Sequence, residues 1–532
     1  MTAPPRPSLD EARSRLRELG YLDAPVERLL FRTVFAGRGG AFLPAVVIGT
    51  LAAALSAVAA IAAGEPGVAG SPRTIAAVFL HVAAADLIPA AGIAFVLSRL
   101  AERSRRPGFA ATMAGFGAAL LVFVLWSVGT YGLARGLSAA ALLWAIPVGL
   151  AALLLASAVR LAFIAHAYAH SGALPRRANR RVFLAAAALG LLVAILLFFS
   201  RREALAAAAP QPSPRSVPMI VAAVDGLDLD GSLRPQAALA LLAGGRSGWW
   251  PAERLSPPEV WTTLATGVSS RRHGVRALSR VRPRGATRAV RPPWGTVWWL
   301  RRIEPALGLA VHAPVSSADR QALSFWEVAA SAGLRSLSVG WWASGDWPGA
   351  VVVDNRAILG AASGGEEADR AALERFDRER SAGFSLATVY LPGCDIERDS
   401  PARRASAAGR IVDWLAPLVD RAAHGELVLV VVAADSHPAP GAVGRVIVFD
   451  GAEPPRTVQI RPVDVDPSIL ARLGVPRARD LEGVPVPALF AAGTVEAATV
   501  PTYGPRVAPA GTAAPESDRE YLEKLRSLGY LK

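Results

Sequence analysis

Apolar residues dominate the first 200 positions of this 532-residue chain, where they form long runs. A helix needs about 20 consecutive apolar residues to cross a hydrocarbon core about 30 Å thick. Each run meets or nearly meets that length, so the sequence predicts a transmembrane region with five helices over residues 41–200. The runs are Ala41–Ala63, Thr74–Leu97, Phe109–Leu133, Ala139–Tyr168 and Val182–Phe199.

Arginines are unevenly distributed among the segments that flank these runs. The N-terminal segment 1–40 and the loops after the second and fourth runs carry several arginines each, whereas the other two loops carry Arg73 and Arg135 alone. Because cytoplasmic segments of membrane proteins are enriched in Lys and Arg, this alternation predicts an N-terminus inside and a C-terminal domain outside. We therefore expect an integral membrane protein of a bacterial inner membrane, with the lipid bilayer as its first partner.

One acid, Asp86, interrupts the second apolar run, and His81 lies shortly before it. An ionisable residue inside a membrane helix is a candidate functional residue, because burying a charge there is costly. The alternative is a polar contact between helices, and the sequence leaves both interpretations open.

Beyond residue 200 the pattern changes to short apolar runs that alternate with helical patterns. A Pro- and Ala-rich linker, residues 201–216, separates this region from the membrane part. The alternation is typical of an α/β domain with a mainly parallel sheet flanked by helices, which we assign to residues 217–510. The apolar runs are Met219–Val224, Ser336–Trp341, Gly349–Val353, Phe384–Leu391 and Glu426–Ala433, and the helical patterns include Ser324–Gly333 and Ala402–Ala422.

Acidic residues follow several of these predicted strands. Asp225, Asp395 and Asp435 each stand at or just past the end of an apolar run. Because the carboxyl ends of parallel strands meet at one edge of a sheet, the three carboxylates are expected to converge there. Such a set of oxygen ligands suits a divalent cation. Alternatively, each Asp is a turn former or a helix cap.

The sequence between the first two predicted strands has the features of a helix N-terminus. Ser256 and Glu259 have the spacing of a capping box, and Pro257 takes the first helical position. The free N–H groups of such a helix end can hold a phosphate or a sulfate. An ordinary capped helix is the alternative.

The net charge of +14 raises the question of a polyanionic partner. No recognition motif accompanies the charge, and many arginines flank the apolar runs, so we do not expect nucleic acid as a partner. The stretch Arg271–Arg302 concentrates arginines, with Trp294, Trp298 and Trp299 between them. It is either a contact for anionic lipid or a glycan, or a solvated loop.

Residues 217–450 resemble the alkaline phosphatase superfamily, in particular its type I phosphodiesterase and nucleotide pyrophosphatase branch. Sulfatases are related members of that superfamily. The matching segments occur in the family's order. They are Ile220–Asp228, Trp261–Gly267 followed by His273-Gly274-Val275, Phe325-Trp-Glu-Val, Val389–Asp395 and Val428–His437. The Trp-Thr-Thr-Leu-Ala-Thr-Gly segment with the later His-Gly is the most specific of them. The resemblance implies an alkaline-phosphatase-like fold.

The resemblance also implies a site that holds divalent metal, zinc or manganese in an active protein. Carried over residue by residue, it implies metal ligands at Asp225, Asp395, Asp399, Asp435 and His437. Asp399 stands where the family has histidine, and Ser436 separates Asp435 from His437, which are adjacent in the family. The nucleophile position is Pro257, so the candidate hydroxyls are those of the neighbouring Ser256 and of Thr262 and Thr263.

Two functions follow from these residues. The first is hydrolysis or transfer of a phosphate or sulfate ester at the outer membrane surface. The second is a catalytically degenerate homologue that serves as a binding or scaffold module. The ligand and nucleophile positions that differ from the family favour the second function, and the persistence of the other segments is compatible with both.

The two ends of the chain carry nearly the same sequence. Leu16–Leu22 and Leu525–Leu531 differ at one of seven positions, and each follows a charged helical stretch and contains Gly where a helix would end. We expect an amphipathic helix in segment 1–40 and a C-terminal helix in residues 511–532. A docking peptide and two convergent helices are the alternatives for the shared motif.

Overall fold

The structure is a computed structural model. It describes residues 9–18, 71–84, 217–227, 244–287, 289–290, 303–451, 456–490, 499–504, 506 and 515–531, together with the isolated positions 28, 54–55, 58 and 160. The linker 201–216, Asp86, Trp294, Trp298, Trp299 and most of the five apolar runs lie outside the described residues. Within the described ranges, every helix is too short or too polar to cross a bilayer.

The chain divides into two compact units. Unit 1 comprises Met1–Ala204 and Val281–Val311, and unit 2 comprises Leu205–Arg280 and His312–Lys532.

Unit 1 contains a helix, α1 (Leu9–Glu18), and a second helix, α2 (residues 72–84). Val78 and Val82 of α2 are buried in a small apolar cluster together with Val290. Two polar side chains of α2, which the sequence places in the second apolar run, are hydrogen-bonded. Thr74 Oγ1 lies 3.0 Å from Thr287 Oγ1, and His81 Nδ1 lies 2.7 Å from Glu304 Oε2.

Unit 2 is built on an eight-stranded sheet with the strand order β10-β2-β9-β8-β1-β7-β5-β6. Strands β8, β1, β7, β5 and β6 are parallel neighbours, and β9 is antiparallel to both β8 and β2. The strands are β1 (Met219–Asp225), β2 (Arg246–Pro251), β5 (Ser336–Val339), β6 (Ala350–Val353), β7 (Leu386–Leu391), β8 (Val428–Ala434), β9 (Val443–Phe449) and β10 (Thr457–Gln459). The predicted α/β class with a mainly parallel sheet is confirmed.

Helices cover both faces of this sheet. The one-turn helix α5 (Glu304–Ala306) belongs to unit 1. The helices of unit 2 are α3 (Pro257–Thr266), α4 (Ser270–His273), α6 (Phe325–Ser331), α7 (Asn355–Leu359), α8 (Gly365–Arg380), α9 (Gly393–Ile396), α10 (Pro401–Ala423), α11 (Val465–Arg472) and α12 (Pro515–Ser527). Single 3-10 turns occur at Ser317–Asp319, Pro462–Asp464 and Pro487–Leu489. Small two-stranded sheets are formed by β3 (Ser279–Pro283) with β4 (Ala310–Pro314) and by β11 (Arg477–Ala478) with β12 (Thr499–Val500).

The central strand β1 shows why the sheet is buried on both faces. Its side chains alternate between two apolar layers because successive residues of a strand point to opposite faces. Val221 packs in the layer that contains Trp261 and Leu525, whereas Ile220 packs in the layer that contains Phe376 and Ile411. A strand buried on both sides has to be apolar throughout, which explains the continuous run in the sequence.

Candidate metal centre

Three neighbouring strands bring acids to the carboxyl edge of the sheet. Strand β1 lies between β7 and β8, with Val224 opposite Leu391 and Asp225 opposite Ala434. Asp225 is the last residue of β1, Asp395 lies in the one-turn helix α9 after β7, and Asp435 directly follows β8. The register of these strands therefore places the carboxylates near one another.

Asp395, Asp435 and His437 form the tightest group. Each offers one ligand atom, and these atoms all lie within 4.8 Å of one another. His437 Nδ1 is 2.9 Å from Asp395 Oδ1, and its side chain is 39% exposed. Asp435 Oδ1 accepts a 2.7 Å hydrogen bond from the backbone N–H of His437. The residue between Asp435 and His437 thus leaves the imidazole within reach of both acids.

Asp225 lies behind this group and is completely buried. Its Oδ2 accepts a 2.7 Å hydrogen bond from the Tyr390 hydroxyl, and Ser436 Oγ donates to its Oδ1 at 3.1 Å. Burial raises the pKa of Asp225 well above its usual value, and the charges of Asp395 and Asp435 raise that pKa further. The acids are therefore close enough to repel one another.

Two arginines supply positive charge to the group. Arg404, in the first turn of α10, donates to Asp435 Oδ2 at 3.0 Å and also to the carbonyl oxygen of Gly226. Arg398 lies 3.8 Å from Asp395 Oδ2. That buried oxygen still makes no hydrogen bond among the described residues. Two carboxylates, an imidazole and an unsatisfied carboxylate oxygen form a donor set that fits a divalent cation.

Close packing holds Asp395 against the end of β1. Gly226 has a φ of +78°, and a Cβ there would lie 2.6 Å from the backbone nitrogen of Asp395, so glycine is required for this approach. On the other side, Asp369 of α8 accepts a 2.8 Å hydrogen bond from the backbone N–H of Gly393. Burial raises the pKa of Asp369 to about 7.

The structure does not bring Asp399 into the group. Asp399 is exposed in the turn between α9 and α10, and it is not among the residues whose ligand atoms converge. Helix α9 ends at Ile396, so the helical turn that would return the fourth residue after Asp395 to the site is not completed.

The helix predicted from Ser256 is present as α3, and Pro257 takes its first position. The predicted capping box is wrong. The Ser256 side chain makes no cap hydrogen bond, because its hydroxyl donates instead to the Arg276 carbonyl oxygen at 3.0 Å.

The other two candidate hydroxyls lie deeper in α3. Thr262 is buried, and its hydroxyl has no hydrogen-bond partner among the described residues. Thr263 Oγ1 donates to the Glu259 carbonyl oxygen at 2.8 Å and lies 3.0 Å from His273 Nε2. Nδ1 of His273 accepts from the Val275 backbone N–H at 3.1 Å, so this imidazole ties α4 to α3.

Helix α3 reaches the acids through Trp261. The indole ring lies 5.2 Å from the Tyr390 ring in an edge-to-face contact, and a contact between the indole and Asp225 lowers the carboxyl pKa against the larger effect of burial. The tryptophan of the motif thus acts as packing beside the centre.

Sequence reasoning missed Tyr390, Arg398, Arg404 and Ser436. Tyr390 and Ser436 stood inside segments that matched the family, so their position next to the expected ligands was a usable signal. The two arginines follow Asp395 by three and nine residues, and no sequence pattern distinguished them from the many other arginines.

Part of the basic stretch is also described. Arg272 lies 3.5 Å from Asp480, and Arg280 forms an ion pair with Asp319. These two arginines have acidic partners within unit 2, which fits a structural role for the beginning of the stretch.

The sequence matches no protein-family model, and no curated protein matches it. Solved structures of alkaline phosphatase superfamily proteins are similar to it. Murine ectonucleotide pyrophosphatase/phosphodiesterase 5 shows 16% identity and a TM-score of 0.28, over 41% of this chain and 57% of that chain. An alkaline phosphatase superfamily protein from Vibrio parahaemolyticus shows 13% identity and a TM-score of 0.32, over 50% and 69%. Lipoteichoic acid synthase LtaP from Listeria monocytogenes shows 9% identity and a TM-score of 0.33, over 51% and 75%. The chain thus spans little more than half of the murine structure.

Proposed function

We propose that this protein hydrolyses or transfers a phosphate or sulfate ester, using a divalent cation held by Asp395, Asp435 and His437. The observation that carries the proposal is the convergence of these three side chains, whose ligand atoms lie within 4.8 Å of one another. A bound cation would stabilise negative charge on the reacting ester.

Residues around the three proposed ligands supply negative charge and orient the ligand side chains. Asp225 adds negative charge from behind the group, and its raised pKa reflects burial and the repulsion among the acids. Arg404 holds one oxygen of Asp435 and thereby orients that carboxylate. The half-exposed His437 side chain leaves the group open to solvent on one side. A substrate with an anionic ester group would meet Arg398 and Arg404 at the same edge of the sheet.

The hydroxyls of α3 favour a second candidate function, that of a binding module without turnover. Proline occupies the nucleophile position, and the neighbouring Ser256 hydroxyl is bonded to a backbone carbonyl oxygen. Thr263 is bonded as well, and Thr262, whose hydroxyl has no hydrogen-bond partner among the described residues, is buried. A protein of this kind would retain the cation and the anionic ligand but would lack an attacking side chain.

The site is proposed to face the outer surface of a bacterial inner membrane. The five apolar runs and the alternation of arginines in their flanks support this placement. A phosphate or sulfate ester at the membrane surface, such as one on a lipid headgroup or a glycan, is then the substrate class. A reporter fused to the C-terminus tests this placement, because activity of a reporter that works only in the cytoplasm contradicts it.

The experiment that separates the two functions uses the full-length protein in detergent. Manganese and zinc binding are measured by titration calorimetry, and hydrolysis is measured with an aryl phosphate, an aryl phosphodiester and an aryl sulfate. Asp395→Asn is expected to abolish cation binding, and Asp399→Asn is the matched control that is expected to retain it. Cation binding with hydrolysis supports the enzyme, and cation binding without hydrolysis supports the binding module. Absence of cation binding by the unmodified protein contradicts both.

A further inference from the structure

Exposed apolar side chains are concentrated in unit 1. Among the described residues, four of the six large apolar side chains that are exposed belong to this unit. They are Leu80, Leu307, Leu309 and Val311. The first belongs to α2, and the other three lie in β4 and the turn before it. A surface concentration of this kind is typical of a site that binds a membrane or another protein.

The strands β3 and β4 run antiparallel. The Arg284 N–H donates to the Leu309 carbonyl oxygen at 2.8 Å, and the Val315 N–H donates to the Leu278 carbonyl oxygen at 2.9 Å. Residue numbers therefore rise along one strand as they fall along its partner. The part of this strand pair that belongs to unit 1 is called here the ribbon. It comprises residues 281–284 and 309–311.

One face of the ribbon combines positive charge with apolar surface. In the antiparallel register, residue 282 lies opposite residue 311, as residue 284 lies opposite residue 309, and opposite residues project to the same side of a sheet. That side carries two arginines and two exposed apolar side chains, namely Arg282, Arg284, Leu309 and Val311. Val281 and Ala310, on the other side, are buried. The ribbon is therefore amphipathic, and its basic and apolar side is the accessible one.

Helix α2 is bonded to the ribbon and to the chain that follows it. His81 Nε2 lies 3.2 Å from the Arg284 carbonyl oxygen, and Thr74 Oγ1 lies 3.0 Å from Thr287 Oγ1. The part of α2 between Thr74 and His81 rises about 10 Å, so residues 284–287 follow the helix over roughly that length. Thr74 begins the second apolar run, and the proposed membrane placement puts this residue at the outer end of the run. The ribbon would then lie at the depth of the headgroups and the upper acyl chains.

We propose that the ribbon is a membrane-binding element, which inserts Leu309 and Val311 into the outer leaflet and binds anionic headgroups through Arg282 and Arg284. The proposal rests on the membrane placement in the proposed function and is independent of the cation site. Amphipathic segments at an interface bury their apolar side about 5–10 Å into the headgroup and acyl boundary, and anionic lipid attracts arginines near the surface. The arginines beside the apolar side chains, and the bonds to α2, favour lipid over a protein partner.

The test uses single-cysteine variants of the full-length protein that carry an environment-sensitive fluorophore. The vesicles contain phosphatidylcholine, phosphatidylglycerol and a lipid with a nitroxide near the top of its acyl chain. Leu309→Cys reports on the ribbon, and Leu80→Cys, at a side chain that is 66% exposed, reports on the membrane placement. Val351→Cys on β6 is the matched control, because Val351 and Leu309 are 39% and 40% exposed. The native Cys394 is completely buried, so the unmodified protein is expected to take up no fluorophore.

The nitroxide lipid is expected to quench the fluorophores at Leu309 and Leu80 to a similar extent and to leave the one at Val351 unquenched. Replacing phosphatidylglycerol by phosphatidylcholine is expected to reduce the quenching at Leu309 alone. Arg284→Gln, introduced together with Leu309→Cys, is expected to remove this dependence on anionic lipid. Arg370→Gln is the control for charge, since it changes an exposed arginine of α8 in unit 2, and the dependence is expected to persist.

The outcomes separate this inference from the membrane placement. Quenching at Leu80 without quenching at Leu309 refutes the ribbon as a membrane-binding element while the membrane placement stands. Absence of quenching at both positions refutes the membrane placement. Quenching at Val351 as strong as that at Leu309 refutes a contact specific to the ribbon. Equal quenching at Leu309 with and without phosphatidylglycerol refutes the role of the two arginines.

Discussion

Unit 2 contains two clusters of charged side chains, and they differ in which charge is in excess. In the first, Glu327 accepts hydrogen bonds from Arg320 at 2.6 and 2.7 Å and from Arg506 at 2.9 Å. In the second, Asp225 and Asp395 lie beside Asp435, and Arg404 and Arg398 contact the group only at its border. Glu327, Asp225 and Asp395 are all buried, but cations are in excess in the first cluster and acids in the second.

The pKa values follow this balance. Burial alone would raise the pKa of Glu327, but the two arginines lower it to about 2. Burial raises the pKa of Asp225, and the neighbouring acids add to the effect. A carboxylate satisfied by arginine stabilises the fold, whereas acids left in excess lower stability until a cation binds. The excess of acids in the second cluster is what the proposed cation site requires.

The largest expected change in stability comes from removing the charge of Glu327 in the first cluster. Glu327→Gln leaves Arg320 and Arg506 buried without a counter-charge, and loss of one partner in a buried ion pair costs about 3–5 kcal/mol. The exposed Glu374→Gln on α8 is the control and is expected to change stability by less than about 0.5 kcal/mol. Thermal unfolding measures both, and equal Tm values would contradict a stabilising role for the first cluster.

Acid has a related effect on the unmodified protein. Because the folded-state pKa of Glu327 is depressed, its stabilising contribution is present above the ordinary value of 4.5 and is lost as the pH falls toward 2.

The next largest effect is that of a cation on the second cluster. A ligand that binds only the folded state at 100 times its Kd adds about 2.7 kcal/mol of stability. Manganese is therefore expected to raise the Tm of the unmodified protein, and a chelator is expected to reverse the increase. Asp395→Asn should show no increase, and an increase of the same size in that variant would place the bound cation elsewhere.

A smaller effect, an increase in stability without metal, is expected from removing the charge of one acid of the second cluster, Asp225. The folded-state pKa of Asp225 is raised, so its stabilising contribution is present at acid pH and is lost as the pH rises above the unfolded value. Without metal, Asp225→Asn is therefore expected to raise stability at pH 8 by about 1–2 kcal/mol and to change it little at pH 4. Melting curves at the two pH values test the sign, and a variant that is less stable at pH 8 contradicts the repulsion among the acids.

The smallest effect concerns Asp399, which lies outside both clusters. Asp399→Asn changes an exposed side chain, so stability is expected to change by less than about 0.5 kcal/mol and manganese affinity not at all. A large loss of manganese affinity would show that Asp399 joins the centre when the cation binds.

Much of the sheet could be predicted because its central strands are apolar on both faces. Runs such as Met219–Val224 and Glu426–Ala433 have few alternatives to a buried strand, and the structure confirms them as β1 and β8. Strands β2 and β10 lie at one side of the sheet, where polar residues and glycine interrupt the pattern. They were not predicted, because β2 is placed by its pairing with β9, and β10 by its pairing with β2, rather than by local periodicity.

The part of the candidate site that could be predicted consists of the acids at the carboxyl ends of the parallel strands. Asp225, Asp395 and Asp435 could be grouped because parallel strands deliver their carboxyl ends to one edge. The place of Asp399 depends on where the short helix α9 ends, and the hydroxyl of Ser256 depends on a carbonyl oxygen 20 residues away. Tyr530 lies at the far end of the chain, and only the folded domain packs it against Trp342.

The order of strands also has a consequence for synthesis of the chain. Asp225 ends the first strand of the sheet, but its hydrogen-bond partners Tyr390 and Ser436 follow 165 and 211 residues later. At a ribosomal rate of 5–20 residues per second, β1 would remain without β8 for roughly 10 to 40 s. Until β7 and then β8 have been made, an apolar strand with an open edge can pair with other chains. The arrangement that assembles the acids thus makes the nascent domain depend on protection until its second half has been made.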